Sequence, residues 1–270
     1  MATIRFLLVC ALTLAGAIAG TAPGVGPAVA QVPDGLQRGG AAQVIAVIDG
    51  DTVILDDARE VRLVGIQAPK LPLGRPGFEK WPLADEAKAA LKDLVLGKRV
   101  YLGYGGRSID RHDRLLAHLY TDDGVWIQGA LLAGGFARVY SFPDNRALVQ
   151  DMLVHEHASR ESARGIWSHP YYAVLDPIAS ARHLDRYALV EGRVKDVAVV
   201  RGRTFLNYGS DWRNDFTVSV APRDWHRFND AGISADDYLG RRIRVRGWLK
   251  SRNGPLIDIT HPEQIEVLSK

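Results

Sequence analysis

The dipeptide Asp49-Gly50, set between the apolar runs Val44-Ile45-Ala46-Val47 and Thr52-Val53-Ile54-Leu55, is the strongest local constraint in this chain. Two extended β-favouring runs joined by Asp-Gly specify an antiparallel hairpin, because the turn needs residues that tolerate unusual backbone angles. Val61-Arg62-Leu63-Val64-Gly65-Ile66 follows as a third strand. A loop with Pro69, Pro72, Gly74, Pro76 and Gly77 then leads to apolar positions at Ala84, Ala87, Leu91, Leu94 and Val95. That spacing is one face of a helix, and Gly97 ends it. Residues 99–104 and 115–120 read as two more strands, with helices predicted over 127–132 and 144–164.

Three strands, a helix, two strands and closing helices is the element order of an OB barrel with a helical cap. Past Pro170 and Pro177 a second β-rich run begins, with candidate strands over 189–194, 204–208, 216–220, 243–249, 256–259 and 264–267. So many short strands in so short a stretch predict a second small barrel. The expected fold class is mainly β with α (α+β): one barrel with helices, then an OB-like β-barrel. The expected division is 31–42 a flexible Gly/Ala-rich lead-in, 43–168 the first domain, 169–186 a linker and 187–270 the second. The halves show no sequence repeat.

Residues 1–30 read as a signal peptide. Arg5 supplies a positive start, residues 6–19 are apolar, and Ala28-Val29-Ala30 offers a small-x-small cleavage site before Gln31. The apolar run is short and broken by Gly16 and Gly20, which argues against an uncleaved anchor. The expected location is therefore outside the cytoplasm, periplasmic or secreted, with no transmembrane segment in the mature chain. Cys10 is the single cysteine, so the mature chain has no disulfide; bulky Val9 before it argues against lipidation. With 34 basic and 31 acidic side chains the net charge is +3, so bulk charge does not advertise nucleic-acid binding. Basic residues do cluster over 182–252, fifteen against nine acidic.

Each polar fragment of the first half is weak by itself. Asp49-Gly50-Asp51-Thr52 is an ordinary turn, Arg62 an ordinary rim cation, and Asp110-Arg111-His112-Asp113-Arg114 an ordinary charged loop. Taken in order they carry more. Val47-Ile48-Asp49-Gly50-Asp51-Thr52-Val53, Val61-Arg62-Leu63-Val64-Gly65-Ile66-Gln67-Ala68-Pro69, Asp110-Arg111-His112-Asp113-Arg114-Leu115-Leu116-Ala117, Trp126-Ile127-Gln128-Gly129-Ala130-Leu131-Leu132 and Gly165-Ile166-Trp167 resemble the staphylococcal nuclease (thermonuclease) family. The resemblance spans about 43–168.

The resemblance implies a calcium ion held by two Asp carboxylates and a backbone carbonyl, a Glu that activates water, and two Arg that stabilise charge on the phosphorus centre and leaving oxygen. Cations and guanidinium forks at such a centre are the usual means of lowering the barrier to phosphoryl transfer. Residue by residue, Asp51 matches the first calcium Asp, Arg62 the first arginine and Arg114 the second. Gln67 stands where the second Asp belongs, Ala68 supplies the carbonyl position, and Lys70 stands where the Glu belongs. These two exchanges shift the local charge by three units in the positive direction. The expectation is Ca2+ binding that is weak or lost, with Lys70 helping to grip substrate. Glu79, beyond the Pro/Gly loop, is the candidate replacement base; a solvated helix-start charge is its plainer reading.

In the second half, aromatics lie among charges over 205–216, as on single-strand stacking surfaces, or else fill the barrel core. Arg242, Arg244 and Arg246 alternate along one strand and are expected to share a substrate-binding face. His155 and His157, two apart on a helix, are not a metal pair, and His261 with Glu263 reads as a hydrogen-bonded turn. Three functions remain open: an exported phosphodiesterase acting on nucleic acid with an altered metal half; a catalytically weak or inactive protein binding nucleic acid or another polyanion; and a protein-binding envelope component. N-terminal sequencing of the exported protein is expected to begin near Gln31; recovery of an uncleaved cytoplasmic chain would overturn the leader.

Overall fold

The computed structural model describes residues 32–269. The expected signal peptide and its cleavage site lie outside the described residues. The first half comprises β1 (Gln37–Asp49), β2 (Thr52–Leu55), β3 (Glu60–Leu63), β4 (Ile66–Gln67), α1 (Ala84–Val95), β5 (Arg99–Tyr104), β6 (Leu115–Thr121), α2 (Ile127–Ala133), β7 (Arg138–Val139) and α3 (Val149–Glu161). Strands β1-β2-β3-β6-β5 close into a barrel. Only β3 and β6 run parallel, with Arg62 beside Leu116. The inward residues of the pleat, among them Val53, Leu55, Val61, Leu63, Val100, Leu102, Ala117 and Leu119, are completely buried. The predicted helix face Ala84, Ala87, Leu91 and Val95 is buried as well.

Two differences from the sequence reading have physical causes. The lead-in expected to be flexible is strand from Gln37 onward, paired with β5. Its small residues serve packing: a Cβ on Gly39 would lie 2.3 Å from the Tyr104 ring. The last predicted helix starts later, at Val149, because Leu148 caps it in a left-handed conformation. Register shifts along β1 coil it enough to pair with β2 on one edge and β5 on the other.

The second half comprises β8 (Tyr187–Arg193), β9 (Asp196–Val200), β10 (Arg203–Asn207), β11 (Thr217–Val220), α4 (Trp225–Asp230), β12 (Arg242–Ser251), β13 (Pro255–Ile259) and β14 (Ile265–Ser269). The pairing path is β9-β10-β11-β13-β12, with β8 on the far edge of β12. β8 and β9 are two halves of one bent strand: Val194 N donates toward β12 at Arg241 O, and Lys195 N toward β10 at Asn207 O. The path thus begins and ends on the same strand, and its parallel pair, β11 with β13, takes the place that β3 with β6 takes in the first barrel. Two halves without a visible sequence repeat adopt one strand order.

The segment between them, expected as a linker, is docked: Leu175 bridges to Val190 and Tyr172 donates to Pro82 O at 2.7 Å. The halves also share a buried ion network. Arg246 of β12 and Glu156 of α3, both fully buried, are joined at 2.9 and 3.0 Å. Arg160 binds Glu156 at 2.6 Å and Glu266 at 3.2 Å, while Glu266 also meets Arg244 and Arg246. Glu156 Oε2 further accepts from Val139 N at 2.6 Å, tying this network to β7.

Breaking a buried pair strands the surviving charge, which costs more than removing both partners. Arg246→Met or Glu156→Leu alone is expected to destabilise the protein by about 3–5 kcal/mol in denaturant unfolding, with the double variant recovering most of that loss. A second expectation concerns pH. Burial holds both His118 and His261 down at about 4. Because each pKa is lower folded than unfolded, their contribution is present above about pH 6.5 and lost as pH falls toward 4. Melting temperature should fall across that window, and His261→Gln should make the fall shallower.

Candidate active site

The Asp49-Gly50-Asp51 turn joins β1 to β2 at one end of the first barrel, where it rests against α1. Gly50 permits this: a Cβ there would lie 2.7 Å from that of Ala68 and 2.8 Å from that of Ala87. The close approach drives Asp51 to 0% exposure and leaves Asp49 nearly as buried. A carboxylate taken this far from water must be compensated. Asp51 Oδ2 accepts from Ala68 N at 2.7 Å. Arg62 NH2 lies 3.2 Å from the same oxygen. Lys70 Nζ donates to Oδ1 and Oδ2, both at 2.7 Å, and reaches Asp49 Oδ2 at 3.5 Å. Burial opposes the charge on Asp51, but Arg62 and Lys70 outweigh it and hold the carboxyl well below the usual range. Asp49 is pushed the other way, by burial first and then by the neighbouring Asp51.

Arg62 is itself fixed, donating to Leu63 O and Ile66 O at 2.7 Å each. Arg114, immediately before β6, holds Asp110 through two donors at 2.9 and 2.7 Å and has Glu60 at 3.6 Å. Partial burial disfavours its charge, and Asp110, Glu60 and, more weakly, Asp51 maintain it. The structure therefore brings Asp51, Arg62, Ala68 and Lys70 into direct contact and puts Arg114 within electrostatic reach.

Other expected residues fall elsewhere. Gln67 turns to Arg138 of β7, accepting from its Nε and NH2 at 3.0 and 2.7 Å. Glu79 is exposed on its loop and makes no hydrogen bond or ion pair among the described residues, so nothing draws it over Asp51 as a replacement base. The expected Arg242, Arg244 and Arg246 face is corrected in part: Arg246 lies inside the junction on Glu156 and Arg244 is held by Glu191 and Glu266, whereas Arg242 pairs with Glu191 and stays largely exposed. Tyr208 and Phe216 belong to the second core, whereas Trp212 is exposed. His261 and Glu263 bind Ser141 and Arg146 across the junction. Sequence reasoning missed Arg138; the only signal was a cation inside the short apolar run Ala137-Arg138-Val139.

Calcium needs several oxygen ligands with their lone pairs directed at the ion. Here both Asp51 oxygens face an ammonium, and Gln67 offers an amide oxygen that already accepts from Arg138. The donor set does not fit calcium. Lys70 Nζ instead lies where the two Asp side chains converge, a cation supplied by the chain itself.

Comparison with known proteins identifies relatives of the first half. The family model described as a staphylococcal nuclease homologue matches residues 60–169. A protein of Escherichia coli named an uncharacterized endonuclease is 33% identical over 47% of this chain and 76% of its own length. The thermonucleases of Staphylococcus intermedius and Staphylococcus hyicus are 30% and 27% identical over 48% and 47% of this chain, and over 77% and 75% of their own lengths. With that barrel, that element order and those relatives, the chain belongs to the staphylococcal nuclease family.

Proposed function

We propose that the protein is an exported phosphodiesterase hydrolase acting on nucleic acid, in which a lysine ammonium has taken over the place of the metal. The observation that carries this reading is the contact of Lys70 Nζ with both oxygens of buried Asp51, beside Arg62. Relatives named endonuclease and thermonuclease support the hydrolytic class. Export rests on the leader pattern of residues 1–30; no helix among the described residues is long and apolar enough to cross a membrane.

In this arrangement Arg114, partly exposed, exchanges its Asp110 partner for an incoming phosphodiester. Lys70 supplies positive charge behind it. Asp49 is the site carboxylate with spare acceptor capacity, since one oxygen takes Asp51 N at 3.1 Å and the other has only a long contact to Lys70. Its raised pKa makes it the more basic of the pair, suited to orient or deprotonate water. The saturation of Asp51 favours a second reading, nucleic-acid or polyanion binding with little or no cleavage.

Unit charges ~4 Å apart at an effective dielectric near 20 interact by roughly 4 kcal/mol. Even after screening, exchanging two carboxylates for an amide and an ammonium should cost calcium affinity about a hundredfold or more. Calorimetric titration should therefore show weak or no calcium binding, and cleavage of plasmid and oligonucleotide should be slow and insensitive to chelator. Gln67→Asp with Lys70→Glu should restore calcium binding and raise cleavage. Arg114→Ala should weaken phosphate binding by roughly tenfold or more. Tight calcium binding with chelator-sensitive cleavage would overturn the lysine's role; binding with no cleavage under any condition would establish the second reading.

A further inference from the structure

Arg138 is buried to 4% exposure, and among the described residues it forms no ion pair; its donors go to a neutral amide. Glu156, which acts on it more weakly, is already engaged by Arg160 and Arg246. Burial pulls the Arg138 pKa down, as expected of a cation held without a counter-ion. The ring of Tyr187 lies 4.7 Å from the guanidinium, with Tyr172 at 5.7 Å and Trp81 at 5.9 Å. Those rings offset part of the desolvation cost. An apolar side chain of similar length would fill the same space with no charge to bury, so packing alone does not call for arginine here.

What the guanidinium does is occupy an oxygen. Residues 67 and 138 stand opposite one another in the β4–β7 pair, so register sets the two side chains together. Nε and NH2 both donate to Gln67 Oε1, at 3.0 and 2.7 Å, which fills both lone pairs of that atom. The next residue supplies the Ala68 amide that binds Asp51 Oδ2. Position 67 is also where the family resemblance implies a second metal carboxylate. A dication there would share its oxygen with a guanidinium, and like charges so close repel.

The second barrel holds Arg138 in place. Tyr187, the first residue of β8, packs on the guanidinium and donates from Oη to Val139 O at 3.1 Å. Val139 N donates to Glu156 Oε2, which Arg246 of β12 also binds. Both backbone groups of the residue after Arg138 are thus fixed at the junction. We propose that Arg138 is a positioning residue that closes position 67 to a metal ion, and that the second barrel acts on the candidate site by holding it there. The proposal rests on the reading that the chain's own cations have taken the place of the metal, and adds to Lys70 a second, independent closure.

The test is calorimetric titration with calcium, and thermal melting with and without it. It uses the full mature chain carrying Gln67→Asp and Lys70→Glu, alone and with Arg138→Met added. Removing Arg138 should tighten calcium binding by roughly tenfold or more, because a cation beside the introduced carboxylate is gone. Calcium should then raise Tm more in the triple variant than in the double. A residue that only packed would lower the affinity or leave it alone when replaced. Arg138→Lys, which keeps the charge, should leave the double variant's affinity within a few-fold, whereas Tyr187→Leu should raise it, by less than Arg138→Met does. Circular dichroism identifies a variant that fails to fold, and Arg138→Gln carries the decision if Arg138→Met is one. Equal or weaker calcium binding in the triple variant would overturn the role of Arg138 and leave that of Lys70 standing. A gain with Arg138→Met but none with Tyr187→Leu would overturn the second barrel's part. Tight calcium binding by the unmodified protein would overturn the replacement of the metal itself.

Discussion

A carboxylate with no exposure to water needs positive charge and donors within hydrogen-bond reach, and Asp51 imposes that demand on everything around it. Gly50 creates the demand by letting the turn press against α1. Lys70, Arg62 and the Ala68 amide answer it. Each is then held in turn, Arg62 by two carbonyls that bracket the start of β4, and Lys70 by a loop returning to its own carbonyl through Trp81. One buried charge thereby sets the positions of strand β3, strand β4 and the loop that follows.

The second half is mechanically continuous with that arrangement. Arg246 on β12 binds Glu156, Glu156 binds the Val139 amide, and β7 pairs with β4, where Ile66 O accepts from Arg62. Every link is a hydrogen bond between buried or nearly buried groups. Such links are stiff because each partner has no alternative in water. The two barrels share a strand order but divide the work: the first carries the polar centre, and the second braces the strand beneath it.

Barrel strands and helix α1 were legible because their apolar residues recur at the periods that a pleat or a helix face demands, as Val53 with Leu55 and Ala87 with Leu91 show. The start of β1 was not, since its Gly and Ala carry little β signal and are there to admit Tyr104. Strands β4 and β7 are two residues each, too short for any period. In the site, Gln67 and Lys70 were readable as a charge change. That the ammonium would settle between Asp51's own oxygens depended on a loop path that no local pattern encodes. Arg246 misled most: alternating cations on a strand look like a solvated face, and the glutamate that buries this one lies ninety residues away.

A cation carried on a side chain differs from one drawn from solution in what controls its occupancy. A dissolved ion fills a site according to its concentration, whereas a tethered ammonium meets its carboxylate at a fixed effective concentration set by chain geometry. The ammonium that meets both Asp51 oxygens is thus supplied by the chain itself. Lys70 is also the residue that fixes the loop ending at Trp81, so the charge and the path of that loop are set by one residue. Sequence change is the means by which that charge is altered.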